Sequence, residues 1–389
     1  MQEKDFLMIP GPTPVPESVL LELAKHPIGH RSKEFSKIFV SANQMLKDLA
    51  GTKNDVYIYT ASGTGAMEAG IANTINPGDK VLSLVIGVFG QRFADIAKLY
   101  GAEQDVIKMQ PGECIQKADL EAALASKQYK AVTITHSETS TGTANDLVEL
   151  APIIKQHGAL LMVDAVTSLG CMPLEMDKLG IDVLVSGSQK GFMIPPGLSF
   201  IFVSKEALKA KSECKTPNYY FCWQQARKAL ENDTTPWTPN VSHIVALEHA
   251  LQLMKAEGKE NIHKRHARLR DSLRAGLKAL DLKLLTEDSS ASAAITAIHA
   301  PEGISIPDLR AGFKNDWHIT VANGQKELKD KIFRIGHLGF VTDRDVLMGL
   351  STLEMSLAKL GYDFKMGASL KAYHEFMTSH TKELVQMIK

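Results

Sequence analysis

The sequence predicts an α/β protein: a large domain built on a mainly parallel sheet, and after it a smaller α+β domain. Two observations carry this. Between about residues 50 and 205, short apolar stretches alternate with helical ones to give six or seven strands, the rhythm of a parallel sheet covered on both faces. After residue 240 it gives way to two long stretches whose apolar residues recur near a helical period.

In chain order, the first element is an arm. Proline stands at four of the eight positions from Ile9 to Pro16, which forbids helix and sheet there and favours an extended segment across a surface. A disordered leader is the plainer alternative. Strands are expected at 56–60, 80–85, 104–108, 131–135, 159–164, 182–185 and 199–203. Helices fall between them at 66–73, 92–100, 117–126 and 147–157, the last capped by Asn145-Asp146. Helices at 242–257 and 261–279 then bridge to strands at 294–299, 319–321 and 331–335 and helices at 307–314 and 342–360. Thr342-x-x-Asp345 is the capping signal of the last of these. The expected division is an arm over 1–20, a large domain over 21–260, a small domain over 261–368 and a polar helical tail over 369–389.

Bulk properties narrow the function. The 44 Lys and Arg balance 44 Asp and Glu, so no general field draws the chain to nucleic acid or anionic lipid, and small-molecule partners are expected. No apolar run has the length of a membrane span, and the first seven residues have no signal-type core, so a cytoplasmic protein is expected. Cys114, Cys171, Cys214 and Cys222 form no C-x-x-C pair, and no H-E-x-x-H occurs; metal chemistry is not expected.

The chemistry-bearing residues cluster at strand ends, where open α/β sheets bind ligands. Asp164 ends one apolar stretch, and Lys190, 26 residues later, closes Val185-Ser186-Gly187-Ser188-Gln189-Lys190-Gly191 after another. A lysine among Gly and Ser suits Schiff-base formation, because partial desolvation lowers its pKa. A neighbouring aspartate suits the pyridinium nitrogen of pyridoxal phosphate. Taken singly, they read as a surface lysine and a helix-capping aspartate. Thr60-Ala61-Ser62-Gly63-Thr64-Gly65 lies at a strand-to-helix junction that offers free N–H groups to a phosphate, or is only a turn. Phe89, between Gly87 and Gly90, is either a stacking partner for a planar ring or a core residue. The polar run from Thr135 to Thr143 contains hydroxyls for a ring oxygen or carboxylate, and His136, read first as a satisfied structural histidine. Arg334, inside apolar Phe333-Arg334-Ile335-Gly336, should meet an acid: a protein carboxylate, or that of a substrate.

With the 60–68 turn, Asp164, Ser186-Gly187-Ser188-Gln189-Lys190 and Phe333-Arg334-Ile335-Gly336 together, the chain resembles the class V, fold-type I, pyridoxal-phosphate-dependent aminotransferases. It is most similar to their alanine–glyoxylate and serine–glyoxylate branch, some of whose members are labelled soluble hydrogenase subunits. The likeness runs from Pro10-Gly11-Pro12 to about Gly361. The resemblance implies that Lys190 bonds the cofactor and then moves the substrate Cα proton, with Asp164 on the ring nitrogen and Phe89 on the ring face. It implies Ser62, Gly63, Thr64 and Gln189 around the phosphate, Thr139 by the ring substituents and Arg334 on the substrate carboxylate. It also implies a homodimer in which the partner's 237–240 loop, ending in Asn240, completes the phosphate site; Trp237 and Asn240 depart from the Tyr and Thr usual there. The implied reaction is transamination from alanine or serine to glyoxylate. Ureidoglycine or an aminophosphonate as donor, and a non-catalytic cofactor-binding subunit, remain as alternatives. Cysteine desulfurases share the fold but need a cysteine in the C-terminal half, and none follows Cys222.

Overall fold

The computed structural model describes the backbone of residues 5–388 and the side chains of residues 5–381. The first four residues of the expected arm and the last of the expected tail lie outside these.

The first strand, β1 (Phe6–Met8), precedes α1 (Glu17–Leu23) and α2 (Lys33–Ala50). The large sheet is then laid down as β2 (Asp55–Tyr59), α3 (Gly63–Thr74), β3 (Lys80–Val85), α4 (Val88–Leu99), β4 (Glu103–Lys108), α5 (Lys117–Ser126) and β5 (Ala131–Thr135). A two-residue ribbon, β6 (Ser137–Glu138) with β7 (Thr143–Ala144), interrupts the alternation before α6 (Leu147–His157), β8 (Leu160–Asp164), β9 (Val183–Gly187) and β10 (Ser199–Val203). The strand order is β2-β10-β9-β8-β5-β3-β4. The neighbours from β9 across to β4 pair in parallel, while β10 runs antiparallel to both β9 and β2. Strands β5, β8, β9 and β10 are buried at every position, hence the predominance of apolar residues on both of their faces. Leu46, Leu150 and Leu247 belong to an apolar core on one face, and Met67, Phe93 and Trp223 to a core on the other.

Past the large sheet come α7 (Lys205–Glu213), α8 (Trp223–Leu230), α9 (Val241–Glu257) and α10 (Lys259–Lys278). The small unit adds β11 (Ile295–His299), α11 (Ile306–Trp317), β12 (Ile319–Asn323), β13 (Ile332–Gly336), α12 (Asp343–Lys359) and α13 (Ala368–Ile388). Thr342 and Asp345 close a reciprocal capping box at the start of α12. The small sheet runs β1-β12-β13-β11. Among the described residues, no helix is long and apolar enough to cross a membrane.

Three differences from the sequence reading have physical causes. Residues 6–8 are not free arm: Phe6-Leu7-Met8 precedes the prolines, and its apolar side chains join the small sheet, Phe6 pairing with Ile319 in parallel. Helix α4 starts at Val88, four residues before the expected 92, because side chains from another segment take its first N–H groups. Helices α1, α2, α7 and α8 were not anticipated; α2 opens on Ser32, whose hydroxyl accepts from Phe35 N, an N-cap with a hydrophobic run behind it.

Candidate active site

Asp164 ends β8 and pairs in register with Val185 of β9, the strand that leads to Lys190. Its carboxylate is buried; Oδ1 accepts from Val166 N at 2.9 Å and Oδ2 from Thr135 Oγ1 at 3.5 Å. Burial pushes this carboxyl up to about 7, and the charge of Glu138 adds to the rise, while the Val166 N–H, Lys190 and Thr135 oppose it.

Because β10 returns antiparallel, Lys190 lies on a connection between two buried strands, closed by Ser188: its Oγ donates to Pro195 O at 2.8 Å and accepts from Leu198 N at 3.2 Å. The Lys190 side chain is buried, and Nζ donates to Pro10 O at 2.6 Å. Burial brings the amine down to about 8, helped by the positive charge of Arg334 and opposed by Asp164, Cys171 and Glu138. The proline-rich arm therefore runs through the site. Thr13 N donates to Gln189 O at 3.2 Å and Thr13 Oγ1 to Lys190 O at 3.1 Å. Gly11, at φ +138°, comes so close that a methyl there would stand 2.7 Å from Lys190 Cδ.

Ser62 is the N-cap of α3 but makes no side-chain cap bond. Gly63 is packed against Val166, with room for no Cβ: one would lie 2.6 Å from Val166 Cγ2. A Cβ on Gly187 would stand 3.3 Å from Gln189 Oε1 and 3.5 Å from Gly63 N, so the Gln189 amide and the start of α3 converge. Gln189 Oε1 is buried without a partner; a half-turn of the amide presents its NH2 instead. Thr64 Oγ1 accepts from Arg92 Nη1 at 2.9 Å, and the Arg92 guanidinium lies 4.6 Å from the centre of the Phe89 ring. Arg92 was not anticipated; it stands three residues after Phe89, and the helix that puts both on one face starts at Val88 and not at the expected 92.

Arg334 on β13 is buried, and it meets no acid among the described residues, contrary to the expectation of a protein carboxylate. Two backbone carbonyls hold it: Asn323 O accepts from Nε at 2.9 Å and Nη2 at 2.7 Å, and Thr139 O from Nη1 at 2.7 Å. Burial draws its pKa down to about 10, the field of Glu138 working against this and that of Arg310 with it. Thr139 spends its hydroxyl on Thr167 Oγ1 at 2.6 Å. Ser140, the next residue, lines a cavity of about 450 Å³ together with Gly87, Arg92 and Gln325.

Two candidates stand apart. Asn240 donates its N–H to Thr60 Oγ1 at 2.9 Å, and its side chain caps α9 by accepting from His243 N at 3.3 Å. His136 is buried with Nδ1 unpartnered, so it is not the satisfied histidine expected; burial lowers it to about 4 against the pull of Asp146. Glu138, unremarked in the sequence reading, is fully buried. The donor set as a whole fits pyridoxal phosphate: a helix start and an unpaired buried amide for phosphate, a buried amine for an aldehyde, a buried carboxyl for a ring nitrogen. Arg334 adds a buried cation that meets no acid among the described residues.

Comparison with known proteins gives a concordant picture. The family model for class-V aminotransferases matches residues 6–331, ending just short of Arg334. The "Soluble hydrogenase, small subunit" of Synechococcus sp. (strain PCC 6716) is 50% identical over 377 residues, covering 96% of this chain and 98% of that one. Serine–glyoxylate aminotransferase of Arabidopsis thaliana is 31% identical over 385 residues, covering 97% and 96%. The crystal structure of alanine–glyoxylate aminotransferase from Nostoc sp. superposes with a TM-score of 0.88 at 31% identity, covering 92% of this chain and 96% of that one.

Proposed function

Since the chain belongs to the class-V aminotransferase family and is a pyridoxal-phosphate-dependent aminotransferase, we propose that it carries the amino group of alanine or serine to glyoxylate, giving glycine and the donor's oxoacid. The observation that supports this most is Arg334, a buried guanidinium held only by carbonyls, in the same site as a buried lysine and aspartate. A carboxylate is the ligand such a cation lacks, and every 2-amino and 2-oxo acid carries one. The serine– and alanine–glyoxylate enzymes among its relatives support glyoxylate as acceptor.

Pyridoxal phosphate, when bound, supplies a carbonyl for the migrating amino group and a ring that accepts electrons as the Cα–H bond breaks. In this reading the residues do the rest. Lys190, lowered to about 8, has a substantial neutral fraction at physiological pH, so it would hold the cofactor through its amine and then serve as the base for the Cα proton. Asp164 keeps a proton on the ring nitrogen, and that cation offsets the desolvation that otherwise lifts the carboxyl. Phe89 lines the ring, while Ser62, Gly63, Thr64 and Gln189 hold the phosphate, with Asn240 of a second copy completing it in a homodimer. Arg334 orients the small acids by their carboxylate, almost the whole of what glyoxylate offers for recognition.

Half-reactions test this. Holoenzyme mixed with single amino acids should lose its visible cofactor absorbance with L-alanine or L-serine and regain it on adding glyoxylate, with glycine formed; Lys190→Ala should do neither. Bleaching by ureidoglycine or an aminophosphonate alone would move the donor assignment to those compounds. An unchanged spectrum with every amino acid would mark a cofactor-binding subunit without turnover.

A further inference from the structure

We propose that Glu138 is a positioning residue for the cofactor ring: through the first turn of α4 it fixes where Phe89 stands. The inference rests on the assignment of Phe89 to the ring face made above.

Glu138 lies on β6, with no exposed surface, and the groups bonded to its carboxylate are all donors. Oε2 accepts from Phe89 N at 3.0 Å and Gly90 N at 3.1 Å. Oε1 accepts from Ser140 N at 3.0 Å and from Ser140 Oγ at 2.6 Å. Ser140 Oγ in turn accepts from Val88 N at 3.0 Å. The first N–H groups of a helix have no partner inside it. In α4 those of Val88, Phe89 and Gly90 are taken by two side chains from the β6–β7 ribbon and its turn. A negative charge at this end also opposes the helix dipole favourably.

The fit leaves no slack. A Cβ on Gly87, the residue before the helix, would stand 2.5 Å from Glu138 Cγ and 2.6 Å from its Cδ, and would run into Ser140 Oγ. Phe89 is tethered by its own amide, and its ring is covered on one side by Arg92, which reaches across to Thr64 of α3. The residue assigned to the ring thus takes its place from the carboxylate, while its neighbour bonds the segment assigned to the phosphate. Glutamine is isosteric but has one acceptor where the site needs two. Its NH2 would face either the Phe89 and Gly90 N–H groups or the Ser140 pair, and a donor against a donor forces the turn to move.

A double-mutant cycle read by cofactor affinity tests the inference: apo-protein is titrated with pyridoxal phosphate by fluorescence, with circular dichroism checking helix content. Glu138→Gln should weaken binding about tenfold, the scale of a charge-assisted hydrogen bond. Phe89→Ala should weaken it comparably, and the double variant should be within about twofold of Phe89→Ala alone, because both act through one ring. Should Glu138→Gln not fold, Ser140→Ala keeps the carboxylate, strips Val88 N of its acceptor, and should cost about threefold, again vanishing in the Phe89→Ala background. Fully additive losses, or full affinity in Glu138→Gln, would overturn the proposal and leave the amino-transfer reading untouched. Unchanged affinity in Phe89→Ala would remove the ring assignment and this inference together, while bleaching by amino acids would still stand.

Discussion

Lys190 and Arg334 are buried in one site, and the charge of Arg334 makes a proton on Lys190 more costly. The outcomes differ because the groups differ. A lysine can shed its proton, whereas a guanidinium drawn down to about 10 stays charged at any physiological pH. Capture of pyridoxal phosphate by the apo-protein should therefore follow the neutral amine: its rate, watched as growth of visible absorbance, should climb through pH 7 to 8 and level off by about 9, an ordinary lysine still rising beyond 10. A rate still climbing at pH 10 would contradict a lowered amine. For Arg334→Ala, KM should rise by about tenfold to a hundredfold for amino acids and oxoacids alike, the worth of a charged hydrogen-bonded pair, with Arg334→Lys recovering part of it. If steady-state kinetics showed one substrate affected and the others spared, Arg334 would not be their shared clamp. These residues were legible because lysine, aspartate and arginine stand out in apolar or glycine-rich surroundings. Glu138 and Arg92 were not: one sits in a polar run where any residue passes as loop, the other looks like a surface arginine until α4 is known to begin at Val88.

Among the elements, those with a strong local period were the readable ones. Strands such as Ala131–Thr135 and Ser199–Val203 agree with the sequence reading to the residue, since completely buried strands are short runs dominated by β-branched and aromatic residues. The early start of α4 had no local signal, because its N–H groups are satisfied by Glu138 and Ser140, some fifty positions later in the chain. The arm shows the opposite failing: its prolines spoke clearly of extended chain, but not of contact with Lys190. Gly11→Ala probes that contact. The methyl would meet Lys190 Cδ at 2.7 Å from a backbone at φ +138°, so we expect a loss of about 1–3 kcal/mol in stability together with slower cofactor capture. Gly29, whose nearest neighbour for an added Cβ is 3.9 Å away, provides the control: Gly29→Ala should leave both the melting temperature and the capture rate nearly unchanged. Equal behaviour of the two variants would mean that the arm yields freely.

At the scale of the molecule, alternation of strand and helix gave the large sheet its class, and the change of rhythm after residue 240 marked the helices that lead to the small one. Strand order was not legible, nor was the direction of β10, since hydrophobic pattern is blind to whether a buried neighbour runs up or down. That reversal decides which parts travel together. Both legs of the loop bearing Lys190 belong to the large sheet, whereas Pro10 stands two residues beyond a strand hydrogen-bonded into the small one. The single hydrogen bond from Lys190 Nζ to Pro10 O therefore bridges two sheets, and any change in how the small sheet seats its first strand is passed straight to the amine.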